Sequence, residues 1–141
     1  MKALWTTVAA CSVFLSGCVT PLPVADRMID QASLLGEWEL TRIDSKPIAN
    51  AISLDFRTDG QVNGAIECNS FMTDYILNDQ RIEFGNAIIT AAGCHPRFDA
   101  NPRLVEKANA VLFSKRPVAM TADGEKLVIS GDSVLVFERV S

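Results

Sequence analysis

Short segments in which apolar and polar residues alternate recur between residues 37 and 140, and turn-forming pairs separate them. This pattern limits the chain to a mostly β fold, because alternation places every second side chain on the same face of a strand. Asp59-Gly60 and Asp123-Gly124 are the strongest hairpin signals. The predicted strands include 37–42, 52–57, 61–66, 75–77, 81–84, 87–90, 118–121, 127–129 and 134–140.

One segment has a helical period instead. Asn101-Pro102 is typical of a helix start, since asparagine caps the first turn and proline fits the first helical position. The spacing that follows predicts one apolar stripe on a helix that ends near Lys115. The stripe consists of Leu104, Ala108, Val111 and Leu112. The residues therefore indicate an α+β chain that is mostly β, with a single helix late in the sequence.

The first 18 residues have the order of a bacterial lipoprotein signal. Lys2 precedes an apolar run of 13 residues and then Leu15-Ser16-Gly17-Cys18. That run is long enough for a secretory core and short of the ~20 residues that a spanning helix needs. We expect cleavage before Cys18 and a diacylglycerol on its sulfur. The alternatives are an ordinary cleaved signal or an N-terminal core helix with a chance cysteine.

This interpretation divides the chain into three parts. Residues 1–17 are the signal peptide, 18–33 the lipidated cysteine and its tether, and 34–141 one folded domain. Pro21 and Pro23 favour a short, stiff tether. Val19, and not aspartate, follows the lipidated cysteine, which by analogy with the enterobacterial sorting rule favours the outer membrane, facing the periplasm.

The charge of the mature chain argues against nucleic acid as a partner. Without Lys2, 12 of the 13 basic side chains remain against 17 acidic ones, a formal charge of −5. Phosphate binding needs clustered lysine and arginine. Attachment to the membrane must therefore come from the acyl chains on Cys18, which hold stably when there are two or more.

Two cysteines are left for the folded domain. Cys11 leaves with the signal and Cys18 carries the lipid, so Cys68 and Cys94 remain in an oxidising compartment, where paired thiols usually form a disulfide. Such a disulfide would stabilise the fold by roughly 3.5 kcal/mol in the chain-entropy model. The alternative is two reduced, buried cysteines.

Three motifs resemble those of the META-domain family, typified by the heat-shock protein HslJ. They are Leu34-Leu35-Gly36-Glu37-Trp38-Glu39-Leu40, then Cys68-Asn69-Ser70-Phe71, and then Thr90-Ala91-Ala92-Gly93-Cys94. The resemblance covers about residues 34–140. The chain departs from the family pattern at Glu67 and Thr73, where glycine is common, and at Ala92, where methionine is usual.

The resemblance implies a small, curved antiparallel sheet, partly closed into a barrel, with the helix before the C-terminal hairpin covering one opening. It implies no established catalytic activity. We therefore expect a non-enzymatic, lipid-anchored envelope protein, related to stress, that binds a periplasmic protein or small ligand and is monomeric. The alternative is an inhibitor of a periplasmic hydrolase such as a lysozyme or protease.

The residues around the cysteines are the candidate contact surface, and we expect no catalytic residue, metal or cofactor. His95 is the only histidine, which argues against a Cys-His metal site. Any Ser-His-Asp catalytic set would have to include it. Asn69 and Thr90 are more simply explained as backbone hydrogen-bonding partners. The candidate contact residues are Asn69, Phe71, Tyr75, Thr90 and His95.

Overall fold

The computed structural model describes residues 29–49, 51–94 and 101–141. The helices are α1 Gln31–Leu34 and α2 Pro102–Leu112. The strands are β1 Gly36–Ile43, β2 Lys46–Pro47, β3 Ile52–Phe56, β4 Gln61–Ile66, β5 Asn69–Asn78, β6 Arg81–Phe84, β7 Ile88–Ile89, β8 Val118–Ala122, β9 Lys126–Ser130 and β10 Val134–Arg139. The predicted signal peptide, Cys18, residues 19–28 and His95 lie outside the described residues.

Eight antiparallel strands form a closed barrel, in the order β1-β3-β4-β5-β6-β8-β9-β10. Pairing of β10 with β1 completes the ring, with Trp38 opposite Arg139 and Leu40 opposite Phe137. Two short strands lie outside this ring of eight. β2 pairs with β1, and β7 pairs with β5. The expected mostly β barrel with one helix before the C-terminal strands is confirmed, and its ring of strands is complete.

The interior of the barrel is filled by the apolar residues of the alternating strands. β3 alternates buried and half-buried residues along its whole length, as the sequence pattern requires. The bulkiest buried side chains are Trp38, Phe56 and Phe137, each at most 2% exposed. Eight strands give an interior just wide enough for side chains to fill, so these aromatic rings form the core of the protein.

The end of the barrel that contains α1 is held by Arg139. Its guanidinium lies 4.2 Å from the centre of the Trp38 ring. The Nη1 and Nη2 groups donate to the carbonyl oxygens of Leu35 and Ser33 at 2.7 and 3.0 Å, and Nε donates to that of Gly124. Ile29 is also buried in the core, so the fold begins before the expected start at Leu34.

Helix α2 covers the opposite end of the barrel. Asn101 caps it by accepting from the Arg103 amide at 3.1 Å, and Pro102 follows, as predicted. All four residues of the predicted apolar stripe are buried. The helix ends at Leu112, earlier than predicted, because the chain turns at Lys115 with φ 54°. Neither helix of the described residues is long and apolar enough to cross a membrane.

Asp44 connects α2 to two turns of the barrel. Its carboxylate accepts from Lys107 Nζ of α2 at 2.8 Å, from the Val134 amide at 2.9 Å and from the Ser133 hydroxyl at 3.1 Å. The Lys107 contact and the Val134 amide lower the pKa of Asp44 from 3.8 to about 2. A carboxyl whose pKa is lower in the folded protein contributes stability above pH 3.8, and that contribution disappears as the pH falls towards about 2.

We expect Asp44→Asn to lower the melting temperature at neutral pH and to reduce the loss of stability on acidification from pH 3.8 to about 2. The reason is that the amide keeps the shape of the side chain and removes the charge that Lys107 binds. Thermal unfolding followed by circular dichroism across this pH range measures both effects.

Asp132→Asn is the matched control, since Asp132 pairs with Arg116 in an exposed ion pair that we expect to contribute little. Equal pH profiles for wild-type protein and Asp44→Asn would contradict the role of Asp44.

Candidate functional site

A disulfide between Cys68 and Cys94 joins two segments at the end of the barrel covered by α2. Their Cα atoms are 5.3 Å apart, and 26 residues separate them in sequence. Cys68 lies in the two-residue turn between β4 and β5, where Glu67 has φ 54°. This positive φ is a backbone conformation that glycine adopts more readily than glutamate. The predicted pairing of the two cysteines is confirmed.

Asn69 and Thr90 attach the segment that follows β7 to the start of β5. The Asn69 side-chain oxygen accepts from the Ala92 amide at 2.7 Å. Thr90 Oγ1 accepts from the Ser70 amide at 3.0 Å, and the Thr90 amide donates to the Ser70 carbonyl oxygen at 2.9 Å. Both side chains therefore serve backbone hydrogen bonding, although Thr90 itself is exposed.

Phe71 and Tyr75 are not part of the exposed surface that we expected them to join. They are 4% and 8% exposed, because β5 directs both side chains into the barrel. The Phe71 ring contacts Phe113 beside the end of α2, with centroids 5.3 Å apart. The Tyr75 hydroxyl accepts from Gln31 Nε2 at 3.1 Å. Of the five candidate contact residues, Thr90 is exposed and Asn69 is half-buried, and His95 is outside the described residues.

Apolar side chains are instead exposed on β5 and β7. Met72, Ile76 and Ile88 share the outer face of the sheet, whereas Ile89 is paired with Phe71 and lies on the other face. Four of the six large hydrophobic residues exposed in the described part of the chain lie there. We call this set the β5–β7 patch, and it consists of Met72, Ile76, Ile88 and Ile89. Ile88 and Ile76 are the most exposed, at 71% and 67%. Exposed apolar groups gathered on one surface are typical of interaction sites.

A shallow depression of about 390 Å³ lies within this surface. Its lining includes Met72 of β5, Ile88 of β7 and Asn63 of β4. Gly64 contributes backbone alone, because an added Cβ there would lie only 2.5 Å from the Phe71 ring. The disulfide and the hydrogen bonds of Asn69 and Thr90 hold the same region in place, which makes it a preorganised surface.

The charges on this surface are acidic. Asp74 lies on β5 between Met72 and Ile76, and Glu83 of β6 is paired with Ile76.

A second depression, of about 320 Å³, lies over β1, β3 and β4 and is lined by Glu37 and Glu39, among others. In the described part of the chain no group of three histidine, cysteine or carboxylate side chains is arranged to hold a metal ion.

The alternating pattern of β5 contains a signal that predicts the patch. In the alternating pattern of β5, Met72 and Ile76 occupy positions on the polar face, where apolar residues are unexpected. Phe71 and Tyr75 were contact candidates only if they were exposed near the cysteines, since most of the aromatic residues are expected in the core. The period of the strand, and not proximity to the cysteines, decides which side chains are exposed.

These features define a small closed β-barrel protein with a disulfide-braced apolar surface. The META domain matches residues 32–141, so the chain belongs to the META domain family. No curated protein matches the chain.

Three solved structures are similar in fold. A protein from Burkholderia xenovorans is 19% identical with a TM-score of 0.55, and the match covers 87% of this chain and 97% of that one. A second protein, whose structure was determined by NMR, is 15% identical with a TM-score of 0.61, and the match covers 79% of this chain and 96% of that one. A lipocalin-like protein from Bacteroides uniformis is 14% identical with a TM-score of 0.52, covering 77% and 99%. At these identities the likeness concerns the fold alone.

We expect replacement of both Cys68 and Cys94 by serine to lower the free energy of unfolding by about 3 kcal/mol, because the open chain regains loop entropy. Amide exchange should accelerate most in residues 88–94, which two strand pairs and the Asn69 and Thr90 bonds alone would then hold. Urea unfolding and hydrogen–deuterium exchange measure the two effects. Exchange in residues 88–94 as slow as in wild-type protein would show that the disulfide does not hold this segment.

Proposed function

We propose that this META-domain protein is a non-enzymatic lipoprotein of the cell envelope that binds a periplasmic partner through the β5–β7 patch. The observation that carries the proposal is the clustering of exposed apolar side chains on the surface that the disulfide braces. A protein partner fits this broad, shallow surface better than a small ligand, because small ligands prefer concave pockets that enclose them. We also propose that the protein is a monomer and that it acts in a stress response. The stress role is suggested by the heat-shock protein HslJ, which typifies the family.

The position of the chain ends fits an anchored domain. β4 connects the turn at Gly60 to the turn at Cys68, so the two turns lie at opposite ends of the barrel. The Tyr75 amide donates to the Gly60 carbonyl oxygen and Gln31 of α1 contacts the Tyr75 hydroxyl, which places α1 at the Gly60 end. The disulfide is at the other end.

A tether from Cys18 would therefore join the described domain at the Gly60 end, away from the disulfide. Ten residues lie between Cys18 and Ile29, the first described residue, and an extended chain spans at most ~3.5 Å per residue. Such a tether keeps the domain close to the membrane and leaves the braced end free to meet a partner. We propose attachment to the outer membrane, facing the periplasm.

A binding role is supported by what the polar side chains near the disulfide do. Asn69 and Thr90 are engaged in hydrogen bonds to backbone amides of the braced segment. Their side chains position the chain and present no nucleophile paired with a general base.

Photo-crosslinking in intact cells tests the proposal. A photoreactive residue at Met72 should capture the partner, and the same residue at Val134 of β10 is the control, because both positions are 41% exposed. We expect a common crosslinked species from Met72 and Ile88 that is absent from Val134. Equal capture at Val134, or none at Met72 and Ile88, would contradict the assignment of the patch.

The anchor is tested in the same cells with Cys18→Ser. We expect this variant to leave the membrane fraction and to lose the Met72 crosslink, since the domain is no longer held near its partner. Mass spectrometry of the wild-type protein should show the lipid on Cys18. A wild-type protein that keeps residues 1–17 and carries no lipid would contradict the proposed anchor.

Inhibition of a hydrolase is the second candidate function. It is favoured by the exposed segment 90–94, which the disulfide holds rigidly at one end of the barrel. An inhibitor of this kind would insert that segment into an active site. Assays of a lysozyme and a protease with added protein test this candidate, and undiminished activity at micromolar protein would exclude the hydrolases assayed.

A further inference from the structure

One edge of β7 has no strand beside it among the described residues. β7 pairs with β5 alone, whereas β6, the preceding strand, pairs with both β5 and β8. The β6–β8 pairing is confined to Arg81 opposite Ala119 and Ile82 opposite Val118. Beyond these pairs the wall of the barrel divides, and β7 follows β5 without a second neighbour.

The backbone of Ile89 faces this open edge. The Thr90 amide donates to the Ser70 carbonyl oxygen of β5 at 2.9 Å. In an antiparallel pair the groups of successive residues point to alternate sides, so the N–H and C=O of Ile89 point away from β5. An unpaired strand edge is a ready template for a further strand.

We infer that the partner presents an extended polypeptide segment, apolar and cationic, which adds to the Ile89 edge of β7 as a further strand. This inference rests on the proposed function and specifies the chemistry of the partner. The segment 84–94 contains no charged residue and no proline, so nothing in its own sequence blocks the approach of another strand. The exposed side chains of Ile88 and Ile89 provide apolar contact beside the edge.

The charges around the edge select a cationic segment. Asp74 and Glu83 lie beside residues of the β5–β7 patch. The nearby cation, Arg81, donates to the Pro117 carbonyl oxygen at 2.8 Å. Lysine or arginine between the apolar residues of a partner strand would meet these carboxylates, and glutamate would be repelled. A second copy of the chain is disfavoured, because a two-fold pair would bring the acidic patches of both copies to the same interface.

The edge is also prepared for such a strand before it arrives. The Cys68–Cys94 disulfide and the Asn69 and Thr90 hydrogen bonds keep the segment around Ile89 extended. An edge that is already ordered loses less conformational entropy on binding. Main-chain hydrogen bonds then provide affinity for many sequences, and the side chains of every second residue provide selectivity.

Binding of synthetic peptides to the mature, disulfide-bonded protein tests the inference. The probe is a short peptide of alternating valine and lysine, and its control has glutamate in place of lysine. We expect the lysine peptide to bind at least about tenfold more tightly by isothermal titration calorimetry, with a β-strand infrared signal in the bound peptide. Equal affinities for the two peptides would overturn the inference.

Two variants of one residue separate the backbone edge from the apolar contact. Ile89→Pro removes the N–H that faces the edge and leaves the β5 hydrogen bonds of Thr90 in place, whereas Ile89→Ala keeps the N–H. We expect Ile89→Pro to weaken binding by about tenfold relative to Ile89→Ala. Equal binding by the two variants, each with wild-type near-ultraviolet circular dichroism, would overturn strand addition.

Ile88→Lys gives a second route that does not alter the backbone, since this side chain is 71% exposed. We expect it to weaken the lysine peptide by about tenfold through lost apolar contact and charge repulsion. Glu37→Gln, on β1, is the charge control and should leave affinity unchanged. Equal losses in Ile88→Lys and Glu37→Gln would indicate general attraction to an acidic protein and overturn the inference.

These results are separable from the test of the proposed function. A partner captured in cells at Met72 but no binding of the lysine peptide would leave the patch as a binding surface and reject its cationic strand partner. A dimer that forms through β7 in sedimentation experiments and that Ile89→Pro dissociates would also reject it, in favour of a second copy.

Discussion

Pairing of β1 with β10 closes the barrel, and the contact between Arg139 and Trp38 braces this seam, on which the rest of the structure depends. Trp38 is on the first long strand and Arg139 is on the last, and the two residues are paired across the β1–β10 seam. The guanidinium covers the indole ring and binds carbonyl oxygens of two further segments. Charged hydrogen bonds in a partly buried position contribute more than neutral ones, so this one side chain joins the chain ends strongly.

The two ends of the barrel are closed in different ways. The seam fixes the ring of eight strands, and α2 covers the far end through Phe113, which contacts Phe71, and Lys107, which binds Asp44. Because β6 contacts β8 over only two residue pairs, β7 extends past the ring with one free edge. Native proteins usually protect such an edge with charge or proline. Here the segment 84–94 contains neither a charged residue nor proline, and the disulfide holds its end, as expected for the strand addition that we propose.

Much of this fold followed from local pattern. The alternation of residues 52–57 and the Asn101-Pro102 helix start were sufficient to place β3 and α2, because each depends on neighbours in sequence. The one-turn helix α1 was not predictable in this way, since the hydrogen bond from Arg139 to the Ser33 carbonyl oxygen, from far along the chain, helps to hold it. Arg139 was missed for the same reason: its partners Leu35 and Ser33 lie more than 100 residues away in sequence. The β5–β7 patch was missed because the candidate contact residues were those near the cysteines in sequence. Two of these, Phe71 and Tyr75, point into the barrel.

Replacement of Arg139 by methionine tests the central claim most directly, because methionine keeps much of the apolar stem and removes the guanidinium. Urea unfolding should show a loss of about 3 kcal/mol or more, given three charged hydrogen bonds and the contact with Trp38. Arg57→Met, which breaks an exposed ion pair with Asp55, should change stability by less than about 0.5 kcal/mol. An Arg139→Met protein as stable as Arg57→Met would contradict the account, because the barrel would then close without this contact.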